Sequence, residues 1–163
     1  AIMVGGKENV FKKFESLFDV MGKSKVYCGK AGAGNTTKLA NQIIVAANIE
    51  ALSEALVLSK KAGLDPKVVL NAIQGGLAGS TVMNAKGPMM AEGNFTPGFR
   101  IKLHQKDLNN ALMTAKELGV SIPVTGLIQQ MITSLVNEGK GELDHSGIAT
   151  FIENISGIKI SSD

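Results

Sequence analysis

The chain has 163 residues, 44% of them hydrophobic and 19% charged, with a formal net charge of +3. That is enough apolar material for one cored domain, or one domain and part of another, and it excludes wholesale disorder. Arg100 is the only arginine, Tyr27 the only tyrosine and tryptophan is absent, so the clustered arginines and interleaved aromatics of a nucleic-acid binder are missing.

Residues 2–4 read as a short strand ending at Gly5-Gly6. Residues 9–21 show helical periodicity, with Val10, Phe11, Phe14, Leu17, Phe18 and Met21 on one face. A second short strand is expected at 25–28. One such βαβ unit is too little to form a sheet or bury both its faces, so it reads as the tail of a larger α/β domain. The abrupt start, Ala1-Ile2-Met3-Val4, points the same way and suggests a fragment of a longer protein.

From Gly34 on the signals are helical. A first helix is expected over 35–62, ending at Gly63, with apolar residues around nearly its whole circumference. Such a helix belongs in the middle of an assembly, wrapped by other helices or by a second subunit. Asp65-Pro66 supplies an N-cap and a first-turn proline for a short helix through Ile73, closed by Gly75-Gly76. Ser80-Thr81 opens another that should stop near Lys86-Gly87-Pro88. Residues 91–100 read as a loop. Further helices follow from Ile101 to Gly119 and from Pro123 to Gly139, and Asp144 caps a last one carrying Ile148, Phe151, Ile152 and Ile155. No strand pattern appears after residue 30, and the tail from Ser161 is expected to fray.

Cys28 is the only cysteine, which rules out an intrachain disulfide and fits a reducing, cytoplasmic setting. Residues 39–49, the longest uncharged run of the first long helix, contain Asn41, Gln42 and Asn48 and are too short and polar for a membrane span. The N-terminus lacks the basic segment of a signal peptide.

The glycine-rich run Gly32-Ala33-Gly34-Asn35-Thr36-Thr37-Lys38 leads into that long helix. Gly29 and Gly34 have the spacing of a phosphate-binding loop, but Asn35 stands where the lysine is needed, and the dinucleotide fingerprint lacks its third glycine. The turn could present backbone N–H groups to a substrate carboxylate; a tight turn that simply needs flexible residues is the commoner arrangement. Lys38, Asn41 and Gln42, at i, i+3 and i+4, project from one side of the helix. A lysine in the first turn against an apolar face would give up its proton readily and could act as a general acid, with a neighbouring amide orienting it or the substrate oxygen. On spacing alone, a lysine snorkelling to water is the commoner case. Lys102 and Lys106 share a face where a loop meets a helix, as solvated helix starts often do. His104 and His145 are far apart in sequence, and no spacing suggests a metal site.

Gly34-x-x-x-Lys38-x-x-x-Gln42, the long helix, and Gly98-Phe99-x-x-x-Leu-x-x-Lys106-Asp107-Leu together resemble the β-hydroxyacid dehydrogenase family, which includes 3-hydroxyisobutyrate dehydrogenase. The phrases Lys38-Leu-Ala-Asn-Gln42, Gly75-Gly-Leu-Ala-Gly-Ser-Thr81 and Pro97-Gly-Phe-Arg-Ile101 are most similar to its tartronate semialdehyde reductase branch. The resemblance implies a mainly α fold: a 6-phosphogluconate-dehydrogenase-like C-terminal helical bundle around one long central helix (31–163), preceded by the last βαβ of a Rossmann domain (1–30). It implies NAD or NADP as cofactor, held mainly by a domain upstream of Ala1, and hydride transfer to or from a short hydroxyacid or semialdehyde.

Lys38 matches the family's catalytic lysine. Gly34, Asn41 and Gln42 fall at substrate-binding positions; the family's usual asparagine is Gln42 here, so either amide could contact substrate. Lys106 matches a lysine that approaches the cofactor, and Phe99 an aromatic near the nicotinamide. The resemblance also implies a homo-oligomer paired through the helical domain. These 163 residues alone are expected to lack activity. A helical oligomerisation module with Lys38 incidental is the non-enzymatic alternative.

Overall fold

The computed structural model describes residues 1–161; Ser162 and Asp163, at the tail expected to fray, lie outside the described residues. The chain divides into two compact units, residues 1–42 and Ile43 onward. The expected composition holds: a mainly helical chain after a short βαβ segment.

In the first unit, β1 (Ile2–Gly5) and β2 (Lys25–Gly29) pair in parallel, with Ile2 opposite Lys25, Val4 opposite Tyr27 and a register shift at Gly5. The two strands therefore do make a minimal sheet, contrary to expectation, joined through a helical crossover as parallel strands require. The helix expected over 9–21 is two helices, α1 (Glu8–Lys13) and α2 (Glu15–Met21), broken at Phe14, whose φ/ψ of −104°/14° leaves the helical region. Phe11 stacks on Phe18 at 5.7 Å and tilts against Tyr27 at 5.6 Å, while Val10, Phe14, Leu17, Val20 and Met21 stay exposed. The helices thus spend only part of their apolar face within the described residues.

The long helix α3 (Ala33–Lys61) begins two residues earlier than periodicity suggests. Gly32, at φ +90°, makes the turn that needs a glycine. Gly34 lies inside the first helical turn, buried, where a Cβ would sit 2.4 Å from the Met3 carbonyl oxygen and 3.0 Å from Gly5 N. Helix and strand can abut only because this residue has no side chain. Gly34→Ala should therefore force β1 and α3 apart and destabilise the first unit by about 1–3 kcal/mol; faster amide exchange in β1 is the readout.

The second unit is a helical bundle. Ala46, Ile49, Leu52, Leu56 and Val57 of α3 enter a core completed by Leu70 of α4 (Pro66–Ile73), Met83 and Met90 of α5 (Thr81–Glu92), Ile101 and Leu108 of α6 (Ile101–Leu118), Ile128, Ile132 and Leu135 of α7 (Pro123–Asn137), and Ile152 of α8 (Ala149–Ser156). The sequence caps act as expected: the Asp65 side chain accepts from Lys67 N and that of Ser80 from Met83 N, and Gly119 closes α6 in the left-handed conformation.

One expectation changes. Helix α5 does not stop at Gly87-Pro88 but runs through them to Gly93. Gly87 is buried where a Cβ would come 2.6 Å from Leu70 Cδ2, so the glycine brings α4 and α5 together and tertiary packing overrides the proline. Of the two ways expected for covering α3, the other helices leave part of it open: Ile44 and Leu58 remain 60% and 72% exposed among the described residues. By length and composition alone α3 could cross a membrane, but in the second unit one of its faces is committed to a protein core. The last helix starts as a 3₁₀ turn, His145–Ile148, capped by Asp144. Ile160 is fully buried, its amide donating to Glu153 Oε1 at 2.8 Å.

Candidate active site

In the first unit the helical spacing brings three predicted residues together. Lys38 Nζ donates to Gln42 Oε1 at 3.1 Å, and Asn41 Nδ2 donates to the same oxygen at 3.0 Å. Gln42 is buried and Lys38 is exposed. One amide oxygen thus gathers an ammonium and a second amide. The earlier helix start places Lys38 in the second turn rather than the first, and the described residues do not surround it with an apolar face. Gly34, expected to meet substrate, is occupied by packing against β1.

The other two predicted residues belong to the second unit. Lys106 is 65% exposed and pairs with the adjacent Asp107 at 3.1 Å. Its neighbour one turn earlier, Lys102, is instead tied to Glu142, which also takes Arg100 Nε at 3.1 Å. Phe99 is half-buried at the entry to α6. Its ring lies edge-on to His104 at 5.8 Å and to His145 at 5.3 Å.

Beneath Phe99 lies a buried polar cluster that sequence reading missed. Asp144 has no exposed surface. Its Oδ2 accepts from Gly98 N at 2.9 Å and Phe99 N at 3.1 Å; its Oδ1 accepts from Ser146 N at 3.0 Å and Ser146 Oγ at 2.7 Å; Lys86 Nζ lies 3.0 Å from both oxygens. Burial works to raise the pKa of this carboxyl, but the bonds from Ser146 and Phe99 and the Lys86 ammonium outweigh it and hold Asp144 well below the usual carboxylate range. Asp144 N also donates to Phe95 O and His145 N to Phe99 O, so the loop is tied to the 3₁₀ turn along its length.

His145 and His104, separated by 41 residues, meet with their Nδ1 atoms 3.1 Å apart. Among the described residues no group of three His, Cys, Asp or Glu could hold a metal. Burial, then His104, pushes the His145 pKa down to about 4; Lys86 adds to this and Asp144 opposes it. Between pH 4 and 6.5 the unfolded chain therefore binds the proton and the folded one does not, so stability rises with pH across that window. Glu50 works the other way. Burial, with Glu54 one turn on, raises its pKa to about 7, so above the ordinary carboxylate value the folded state keeps a proton the unfolded state has lost, and stability falls as pH rises toward 7. The two slopes oppose each other in wild type. Glu50→Gln should expose the histidine slope, with a loss of about 2 kcal/mol from pH 7 to 5 in chemical denaturation; a flat profile in that variant would remove the assignment.

A family model described as "NAD-binding of NADP-dependent 3-hydroxyisobutyrate dehydrogenase" matches residues 32–152, a span that contains Lys38, Phe99, Lys106 and Asp144. The chain belongs to this family. It is 45% identical over 161 residues to the 2-hydroxy-3-oxopropionate reductase of Escherichia coli (strain K12), covering 99% of this chain and 55% of that protein. With the 2-(hydroxymethyl)glutarate dehydrogenase of Eubacterium barkeri it shares 35% identity, over 98% of this chain and 54% of the relative. In structure it is similar to a Mycobacterium tuberculosis 3-hydroxyisobutyrate dehydrogenase determined with L-serine, at TM-score 0.86 and 26% identity, covering 92% of this chain and 54% of that one. The chain spans about half the length of the curated relatives it matches.

Proposed function

We propose that these residues form the helical half of an NAD(P)-dependent oxidoreductase that interconverts a short semialdehyde and its hydroxyacid, with tartronate semialdehyde and D-glycerate as the pair. The observation that carries the reading is the Lys38–Gln42–Asn41 cluster: an exposed ammonium held by a buried amide oxygen on a rigid helix. The 45% identity to a 2-hydroxy-3-oxopropionate reductase supports the choice of substrate.

A bound nicotinamide cofactor supplies or accepts the hydride. As charge gathers on the substrate carbonyl oxygen, Lys38 stabilises it and donates a proton from Nζ, completing the alcohol; the lysine is then reprotonated from solvent. In the oxidative direction neutral Lys38 takes the hydroxyl proton. Gln42 Oε1 fixes the direction of Nζ, and Asn41, held through the same oxygen, is the amide assigned to the substrate hydroxyl. The groups that fit the cofactor in this chain are Phe99, an aromatic surface half open to solvent, and Lys106, an exposed cation suited to a ribose or phosphate oxygen. The glycine turn at 29–34 lacks a dinucleotide fingerprint, so the greater part of the cofactor is assigned to residues outside this chain.

A homo-oligomer paired through the helical unit is part of the same proposal. Leu58 and Ile155 are 72% and 69% exposed and line an apolar groove of about 430 Å³ between α3 and α8. The deciding experiment is a substrate panel on a protein that includes this chain and a nucleotide-binding half, with NADH and NADPH each tested. Highest kcat/KM on tartronate semialdehyde supports the assignment. Preference for 3-hydroxyisobutyrate or another β-hydroxyacid overturns the substrate but keeps the chemistry, and no turnover on any member overturns both.

A further inference from the structure

We propose that His104 and His145 form a positioning pair that sets the ring angle of Phe99; the inference rests on the role given to Phe99 under the proposed function. Phe99 makes two edge-on ring contacts, and both are with these imidazoles, at interplanar angles of 78° and 62°. The imidazoles are 5.1 Å apart and meet through Nδ1 at 3.1 Å. His104 is fully buried and His145 is 6% exposed. A hydrogen bond between two Nδ1 atoms requires one ring to carry its proton there and the other to leave that nitrogen bare. The two histidines therefore hold opposite tautomers, and neither ring can turn over without breaking the bond.

Two apolar rings would fill the same volume but would not fix each other's rotation. The aromatic surface above them would then sample several tilts, and stacking depends on tilt and offset. The charged groups that face the pair keep it in its working state. Asp144, adjacent to His145, and Lys86 of α5 form an ion pair, and burial, then His104 and, more weakly, Lys86 disfavour a charge on His145 while Asp144 opposes them. Phe99 is thus fixed twice: its amide by Asp144 and its ring by the histidines.

Long-range nitrogen–proton NMR of the unmutated protein should show one ring protonated at Nδ1 and the other at Nε2. Both rings in the Nε2–H form would overturn the inference without any variant. In the full-length enzyme, His145→Phe keeps the bulk and loses the bond, and should raise KM for the nicotinamide cofactor roughly tenfold while kcat stays within about twofold. His145→Asn, whose amide sits near the Nδ1 position, should recover most of the loss. A Phe99→Leu change that raises KM while His145→Phe does not would overturn the pairing alone. A Phe99→Leu change that leaves KM unaltered would overturn the role of Phe99, and the pairing with it.

Discussion

Lys38→Ala in the full-length enzyme should lower kcat by about 10²- to 10⁴-fold while leaving cofactor affinity nearly unchanged, the range expected when a positioned proton donor is removed. The asymmetry follows from where the residue sits. Lys38 is exposed, so truncation opens no cavity and costs little stability. Among the described residues it donates to Gln42, which keeps Asn41 as a second donor. The loss is therefore confined to the charge that develops on the substrate oxygen, and it should appear in kcat and kcat/KM alike. Lys38→Arg keeps a cation but presents a planar group that does not release a proton, so it should leave KM unchanged and recover little of the rate. Near-normal turnover of Lys38→Ala would end the proposed mechanism.

The largest effect on folding is expected at Asp144. Asp144→Ala should destabilise the second unit by about 3–5 kcal/mol, because it leaves a partly buried ammonium uncompensated and strips hydrogen bonds from buried donors. The orphaned groups would be Lys86 Nζ, the amides of Gly98 and Phe99, and both Ser146 donors. For a chain of this size the change corresponds to a Tm lowered by roughly 10 °C or more. Lys86→Met should cost less, since the backbone amides and Ser146 still satisfy the carboxylate. Because folding depresses the pKa of Asp144, its contribution is present above the unfolded value of 3.8 and is lost as pH falls below it. A loss under about 1 kcal/mol in Asp144→Ala would mean that water replaces the carboxylate at little cost.

Much of the fold was legible because its signals are local. Asp65-Pro66, Ser80, Pro123, Gly119 and Gly139 punctuate helices where their backbone chemistry demands, and the i, i+3, i+4 spacing was enough to place Lys38, Asn41 and Gln42 together. Local rules failed where a distant residue decided the outcome. Gly87-Pro88 reads as a stop signal until Leu70 is seen to need that glycine. The cluster under Phe99 draws on residues 86, 98, 104 and 144, which no window along the chain contains. The one local hint was the Asp144-His145-Ser146 run, which read as a helix cap and is that as well.

The separations in that cluster also bear on time. Lys86 and Gly98 reach Asp144 across 58 and 46 residues, and closing such loops costs chain entropy before any contact forms. The neighbouring hairpin of α6 and α7 needs no such closure, so its contacts come first and the carboxylate is enclosed late. Interactions absent from the transition state slow unfolding and leave the folding rate nearly untouched. Asp144 therefore governs how long the native state survives, rather than how quickly it is reached.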